Sequence, residues 1–285
     1  MTQKTKILIP RQEKLRKLIG QMKKAGPEKL HVLADFDRTL TQAYIDGEKI
    51  PSIISILRDG NYLTPDYAPK AHALYNKYHP IEIDSKITPG EKRKAMKKWW
   101  ETHFKLLLKS GLHKKDIEKV VVSGKIKLRQ GAKTFLETLH KQNIPLVIMS
   151  ASGLGKDVIE MYLEKEHQLY DNIYIVSNAF MWDKKGSAIG FQKPIIHTLN
   201  KDETTVHGLP FFEKIKDRKH VILLGDSLGD LGMIQGFDYE TLIKIGFLNE
   251  AVEENLPQYQ ENFDVIVLND GNMNYLNDLL KQIII

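Results

Sequence analysis

The chain has 285 residues, 42% of them hydrophobic, no cysteine and a formal charge of +6. That length buries one large core, or a core plus a smaller module, and the missing thiols exclude disulfides, thiolate zinc sites and cysteine nucleophiles. No stretch is apolar enough for a signal peptide or a membrane span, so we expect a cytoplasmic protein with no membrane partner.

The positive charge is scattered through "RQEKLRKLIGQMKK" and "EKRKAMKK". In the simplest reading these are solvated helix faces, and a mild excess also suits a small anionic substrate. Zinc-finger spacing and aromatic RNA-binding signatures are missing, so nucleic acid is not expected as a partner.

The first apolar run is "HVLA" (His31–Ala34), which leads straight into "DFDRTLT". From Ala34 to Pro145 the pattern is helical, with no clear strand. "AHALYNKYH" and "EKRKAMKKWWETHFKLLLKSG" are the clearest helices. A sheet does not skip that far without an inserted unit. We therefore place a helical cap at residues 44–130 and a core at 1–43 and 131–285. Beyond it, "GAKTFLETLHKQN" and "LGKDVIEMYLEKEH" read as helices around the strand "PLVIMS" (Pro145–Ser150). "IYIVS" (Ile173–Ser177) follows. "NAFMWDKKGSAIGFQK" reads as a hairpin turning at Lys185-Gly186. Three more runs, "HVILLG" (His220–Gly225), "TLIKIGF" (Thr241–Phe247) and "FDVIVL" (Phe263–Leu268), complete the strands. Continuous apolar strands alternating with helices predict an α/β fold: a Rossmann-like doubly wound parallel sheet with an inserted helical cap. Ligands of such sheets bind at the carboxyl ends of the strands.

The chemistry-bearing residues gather at those ends. Asp35 and Asp37 close the first strand, Ser150 another, and Asp226 and Asp230, in "LLGDSLGD", a third. In a parallel sheet these loops open on one edge, so four carboxylates share a crevice. Two unit charges ~4 Å apart repel by about 4 kcal/mol at a protein-surface dielectric. A divalent cation removes that repulsion, and an oxygen-only ligand set selects Mg2+. Asp35 can attack phosphorus, and Asp37 can give a proton to the leaving oxygen and take one from water. Backbone N–H groups and the Ser150 hydroxyl can hold phosphate oxygens, with a lysine to neutralise developing charge. Lys201 in "HTLNKDET" is the choice for that lysine, because it follows the hairpin and precedes the Asp226 strand, with Lys193 its rival from position alone.

Two other motifs compete. "GDSL" (Gly225–Leu228) resembles the serine block of a lipase and esterase family, but that chemistry needs a late histidine and none follows His220. "SGLGKD" fails the phosphate-loop pattern, with Ser150 for the first glycine and Asp157 for the hydroxyl residue.

"DFDRTLT", Ser150, Lys201 and "GDSLGD" resemble the four motifs of the haloacid dehalogenase superfamily of phosphatases. More narrowly, "YHPIEID", "MKKWWETH", "IPLVIMSAS", "IIHTLNKD" and "ILLGDSLGDLGM" are similar to the cytosolic 5′-nucleotidase III family, the pyrimidine 5′-nucleotidases. The resemblance runs from Leu30 to the C-terminus. It implies an aspartyl-phosphate intermediate and magnesium, with Asp35 as nucleophile and Asp37 as acid/base. Ser150, Ala151 and Lys201 become the phosphate contacts. Asp35, Asp37, Asp226 and Asp230 surround the metal. Lys201 is preferred over Lys193 for its Asn-Lys-Asp context. Glu82 matches a cap glutamate that reads the base. Trp100 falls where an aromatic ring lies near it, and relatives accepting 7-methylguanosine monophosphate carry tryptophan there. Neighbouring helix positions point about 100° apart, so Trp99 is expected in the core when Trp100 faces the pocket. Arg38 replaces a common methionine and is expected toward phosphate or solvent. The implied function is hydrolysis of nucleoside 5′-monophosphates, pyrimidine ones such as CMP and UMP and also 7-methyl-GMP, to nucleoside and phosphate; a monomer is expected. The alternatives are a phosphatase for another small phosphomonoester, or a non-catalytic nucleotide-binding protein.

Overall fold

The computed structural model describes residues 5–84, 86–201, 209 and 211–285. Its centre is a seven-stranded sheet built from β1 (Ile7–Leu8), β2 (Leu30–Ala34), β5 (Leu146–Met149), β6 (Ile173–Val176), β9 (His220–Gly225), β10 (Thr241–Leu248) and β11 (Val265–Leu268). The order is β1-β11-β10-β9-β2-β5-β6. Six strands run parallel, and β1 joins β11 antiparallel.

Both faces of the sheet are buried, which is why its strands are continuous apolar runs. Side chains alternate along each strand. Val32, Ala34, Ile148, Ile222 and Leu224 enter one core. Leu33, Val147, Met149, Val221 and Leu223 enter the other. The first core is covered by α1 (Gln12–Ala25), α6 (Ala132–Lys141), α7 (Gly155–Lys165) and α10 (Asn274–Ile284). The second is closed by Met233, Phe237 and Ile215 of the short α8 (Phe212–Ile215). α9 (Val252–Asn262) links β10 to β11.

All six strands expected from the sequence are in the sheet. The antiparallel edge β1 was not expected, because two residues carry no periodicity. Between β2 and β5 lie α2 (Ile53–Asp59), α3 (Tyr67–Ile83), α4 (Pro89–Lys109) and α5 (Lys114–Val122), with a small hairpin of β3 (Tyr44–Ile45) and β4 (Glu48–Lys49). α4 begins with a full capping box, Thr88 Oγ1 accepting from the Glu91 N–H and Glu91 accepting from the Thr88 N–H. The chain leaves and rejoins the sheet side by side: Gln42 N–H donates to Lys127 O and Arg129 N–H to Leu40 O, both at 2.9 Å.

The expected hairpin is β7 (Phe180–Trp182) and β8 (Ala188–Phe191). It is a strut to the inserted helices, with Phe180 and Phe191 each 5.3 Å from the Phe104 ring and Ala188 N–H donating to Leu112 O at 2.8 Å. Among the described residues no helix is long and apolar enough to cross a membrane.

Candidate active site

The chain runs from β2 outward to β5 and β6, then crosses to β9 on the other side of β2. That reversal opens a crevice at the carboxyl ends of β2, β5 and β9. Ala34 pairs with Ile148 and with Leu224. One residue further, Asp35 stands level with Met149 and Gly225. Ser150 and Asp226 therefore lie one step beyond it, on either side. The Asp35 N–H extends the ladder to Leu224 O at 3.0 Å, and the Ser150 N–H to Val176 O at 3.0 Å.

The charges meet around Lys201. Its buried ammonium donates to Asp35 Oδ1 at 2.5 Å and to Asp230 Oδ1 at 2.9 Å. The other Asp230 oxygen accepts from the N–H groups of Asp226 (3.2 Å) and Ser227 (3.0 Å) and from Ser227 Oγ (2.8 Å). Gly225 lets this loop fold so tightly: a Cβ there would lie 2.5 Å from Asp230 Cβ. Burial pushes the Asp35 carboxyl up to about 7, against the pull of Lys201 and with further push from Asp230 and Asp37. Burial, then Asp230 and Asp35, hold Asp226 well above the usual carboxylate range. Burial alone would lower the Lys201 ammonium, but the carboxylates of Asp35 and Asp230 outweigh it and hold it raised.

One oxygen each from Asp35, Asp226 and Asp230 lie within 4.8 Å of one another. Three carboxylates facing one ammonium leave negative charge to be neutralised, and the set contains neither sulfur nor imidazole. These donors fit a hard divalent cation.

Beside the charge centre is a cavity of about 180 Å³. Asp37 and Ala151 form its floor, and Tyr75, Trp99, Trp100 and His103 its aromatic wall. The wall is a run of stacked rings: Tyr78 on Trp99 (5.9 Å, 12°) and Trp99 on Trp100 (5.9 Å, 18°). Trp100 seats over Gly153, where a Cβ would meet its ring at 2.9 Å. Burial pushes the Asp37 carboxyl up to about 6, opposed by Lys201 and Arg38. Burial, then the Arg58 charge, lowers His103 to about 4, so its ring is neutral near pH 7.

A sequence model of the family described as pyrimidine 5′-nucleotidase (UMPH-1) matches residues 38–284. The 7-methylguanosine phosphate-specific 5′-nucleotidase of Mus musculus is 34% identical over 99% of this chain and 93% of its own length. The chain belongs to the pyrimidine 5′-nucleotidase family. A second relative, the putative cytosolic 5′-nucleotidase 3 of Caenorhabditis elegans, is 35% identical over 95% of this chain and 72% of its own. The crystal structure of cytosolic 5′-nucleotidase IIIB bound to cytidine superimposes with a TM-score of 0.86 at 31% identity, covering 97% of this chain and 92% of that one. A substrate-bound phosphoserine phosphatase shares the fold alone, with a TM-score of 0.51 at 16% identity over 88% of this chain and 96% of that one.

In this family member the sequence-derived candidates separate into groups. Asp35, Asp226, Asp230 and Lys201 meet at the charge centre, with Ser150 at the same edge. Asp37, Ala151 and Trp100 line the cavity. Asp37 is not in the carboxylate triad, although the sequence reading counted it there. The chain turns through a left-handed Arg38 (φ 59°) immediately after it, and its side chain is left beside the aromatic wall. Trp99 is not a core residue: both indoles are half-buried and share the wall, because the stack on Tyr78 draws Trp99 to that side. Glu82 stands outside the cavity lining. It accepts from Thr198 Oγ1 at 2.9 Å and faces His79 Nδ1 at 3.3 Å, tying α3 to the loop before Lys201. Lys193 is exposed and faces Glu101 at 3.9 Å. The Arg38 side chain, partly exposed, pairs with Glu250 at 3.1 Å. Tyr75, His103 and Arg58 also line the cavity. They lie on three different helices, Arg58 on α2, Tyr75 on α3 and His103 on α4, so no spacing in the sequence brings them together.

Proposed function

We propose that this chain is a magnesium-dependent 5′-nucleotidase that hydrolyses nucleoside 5′-monophosphates to nucleoside and phosphate. One observation carries the reading: a buried aspartate, Asp35, held by Lys201 at the switch point of the sheet, beside a carboxylate triad and an aromatic cavity. Asp35 is the nucleophile. Its carboxylate oxygen bonds to phosphorus as the bond to the nucleoside 5′ oxygen breaks, and Asp37 gives that oxygen a proton. Water then attacks phosphorus, Asp37 takes its proton, and the bond to Asp35 breaks to release phosphate. A carboxyl near 6 serves both transfers around neutral pH. Ser150, the Ala151 backbone and Lys201 hold the phosphate oxygens. Asp35 and Asp226, with Asp230 bracing the loop, would hold Mg2+, which would supply positive charge to the transferring group.

The insertion of residues 44–130 acts as a cap that closes over the base and excludes water. Its wall of Tyr75, Trp99 and Trp100 suits a flat base. It favours a cationic one, such as 7-methylguanine, through the ring quadrupoles; pyrimidine monophosphates are the companion substrates. Glu82 belongs to the base contacts once the cap swings inward, exchanging Thr198 for a base N–H.

The test is phosphate release from CMP, UMP, 7-methyl-GMP, GMP and ribose 5-phosphate, with and without Mg2+, on wild type, Asp35→Asn and Glu82→Ala. We expect no turnover by Asp35→Asn and a loss by Glu82→Ala confined to the nucleotides. Turnover by Asp35→Asn removes the nucleophile assignment. Equal loss on ribose 5-phosphate removes the base role of Glu82.

A further inference from the structure

Arg129 has no part in the chemistry above, yet it is the largest of the fully buried side chains, 1% exposed. Its guanidinium faces six oxygens drawn from three separate segments. Nε donates to Thr39 O at 3.0 Å. One terminal nitrogen donates to Gly271 O at 2.7 Å and pairs with Asp270 Oδ1 at 2.8 Å. The other reaches Arg38 O, Thr41 O (3.3 Å) and Asn249 Oδ1 (3.1 Å). The Phe247 ring lies 4.4 Å from the guanidinium carbon. A hydrophobic side chain would fill this space without a buried charge to compensate. The fork is what the site uses.

Three of the four gripped carbonyls, those of Arg38, Thr39 and Thr41, belong to the turn that follows Asp37. Arg38 sits there at φ 59°, a left-handed conformation that a non-glycine residue keeps only when its surroundings hold it. Two donors fix its carbonyl: Arg129 and Asn249 Nδ2, the latter at 3.0 Å. Arg129 also stands where the insertion rejoins the sheet. Its own N–H pairs with Leu40 O, and its partner Asp270 accepts from the N–H groups of Ala43 (2.9 Å) and Tyr44 (3.0 Å). One side chain thus ties the Asp37 turn, both links to the insertion, and the loops after β10 and β11.

We infer that Arg129 is a positioning residue for phosphate-ester cleavage: its grip on the carbonyls of Arg38, Thr39 and Thr41 fixes the left-handed turn that aims Asp37. The inference rests on the 5′-nucleotidase reading. It assigns Arg129 to the chemical step, not to substrate affinity.

The experiment compares wild type, Arg129→Lys, Asn249→Ala and Arg129→Lys with Arg38→Asn, each with Mg2+ and CMP. It measures kcat and KM per folded molecule, with folding followed by circular dichroism and thermal melts. Misplacement of a catalytic group by ~1 Å costs on the order of 100-fold. We expect Arg129→Lys to lose about that much kcat with KM little changed, and Asn249→Ala to lose less in the same direction. Asparagine tolerates the left-handed region, so adding Arg38→Asn restores part of the lost kcat. A purely structural Arg129 predicts a lower melting temperature with kcat per folded molecule intact and no recovery from asparagine. Either finding overturns the inference, as does a loss confined to KM. If Arg129→Lys does not fold, Asn249→Ala with wild-type kcat overturns it. A wild type that releases phosphate from no monophosphate refutes the function itself. An active wild type with unaffected variants refutes only the positioning role.

Discussion

Lys201→Met removes the cation from the charge centre while keeping most of the side-chain volume. The ammonium lies 2.5 Å from one carboxylate oxygen and 2.9 Å from another, with 5% of its side chain exposed. At an effective dielectric of ~20, each pair at ~3 Å attracts by about 5.5 kcal/mol. Desolvation of the three groups offsets much of that sum, and removing one partner of a buried pair costs about 3–5 kcal/mol in practice. Methionine packs adaptably, so the cavity contribution is small. In chelator we expect the metal-free variant to lose about 4 kcal/mol. With an unfolding entropy of about 0.6 kcal/mol/K for 285 residues, that is a fall of roughly 7 °C in Tm. A divalent cation replaces part of the missing charge, so Mg2+ should raise the Tm of the variant more than that of the wild type. Loss of the charge facing the transferring phosphoryl group should also lower kcat by about 100-fold or more. Thermal melts in EDTA and across a Mg2+ titration, with phosphate release alongside, measure all three. Equal melting in chelator, or equal Mg2+ shifts in the two proteins, would refute the view that Lys201 and the cation neutralise the same carboxylates.

The raised carboxyls make metal-free stability depend on pH. Asp37 and Asp35, near 6 and 7, hold protons that the unfolded chain has already released, so their contribution to folded stability drops as pH rises from about 4 to those values. The wild-type urea midpoint in EDTA, taken relative to that of an Asp35→Asn, Asp37→Asn variant, should fall between about pH 4 and 7, and saturating Mg2+ should flatten that slope; a relative midpoint that rises with pH contradicts this. Gly153→Ala pushes a methyl into Trp100 and Ile54, at 2.9 and 3.0 Å, and overpacking of this kind costs about 1–3 kcal/mol. We expect a KM for CMP raised by roughly 5–160-fold with ribose 5-phosphate turnover nearly unchanged; equal effects on both substrates would show that the aromatic wall does not hold the base.

What the sequence made legible divides along a physical line. The six parallel strands were readable because burial on both faces makes each of them a continuous apolar run. Asp35 and Asp226 were readable because each follows such a run directly, where an unpaired carboxylate is costly to bury. Lys201 had no such signal, since a lysine in a loop is ordinarily a surface residue. Its place between the hairpin and the Asp226 strand suggested it and the resemblance of its neighbours set it above Lys193, but its burial between Asp35 and Asp230 is a tertiary fact. The boundary shows most sharply at Arg129. In "LRQGA" it reads as a polar residue opening the exposed start of α6. Its partners are backbone carbonyls and side chains from 88 to 142 residues away, and carbonyls are the one group every sequence position shares. A side chain that recognises another side chain leaves two marks in a sequence, whereas one that grips backbone leaves only its own. Residues of that kind are found by asking which buried charge has no charged partner sufficient to account for it. Here a single carboxylate, Asp270, meets one edge of the fork, and the carbonyls of the Asp37 turn take up most of the rest.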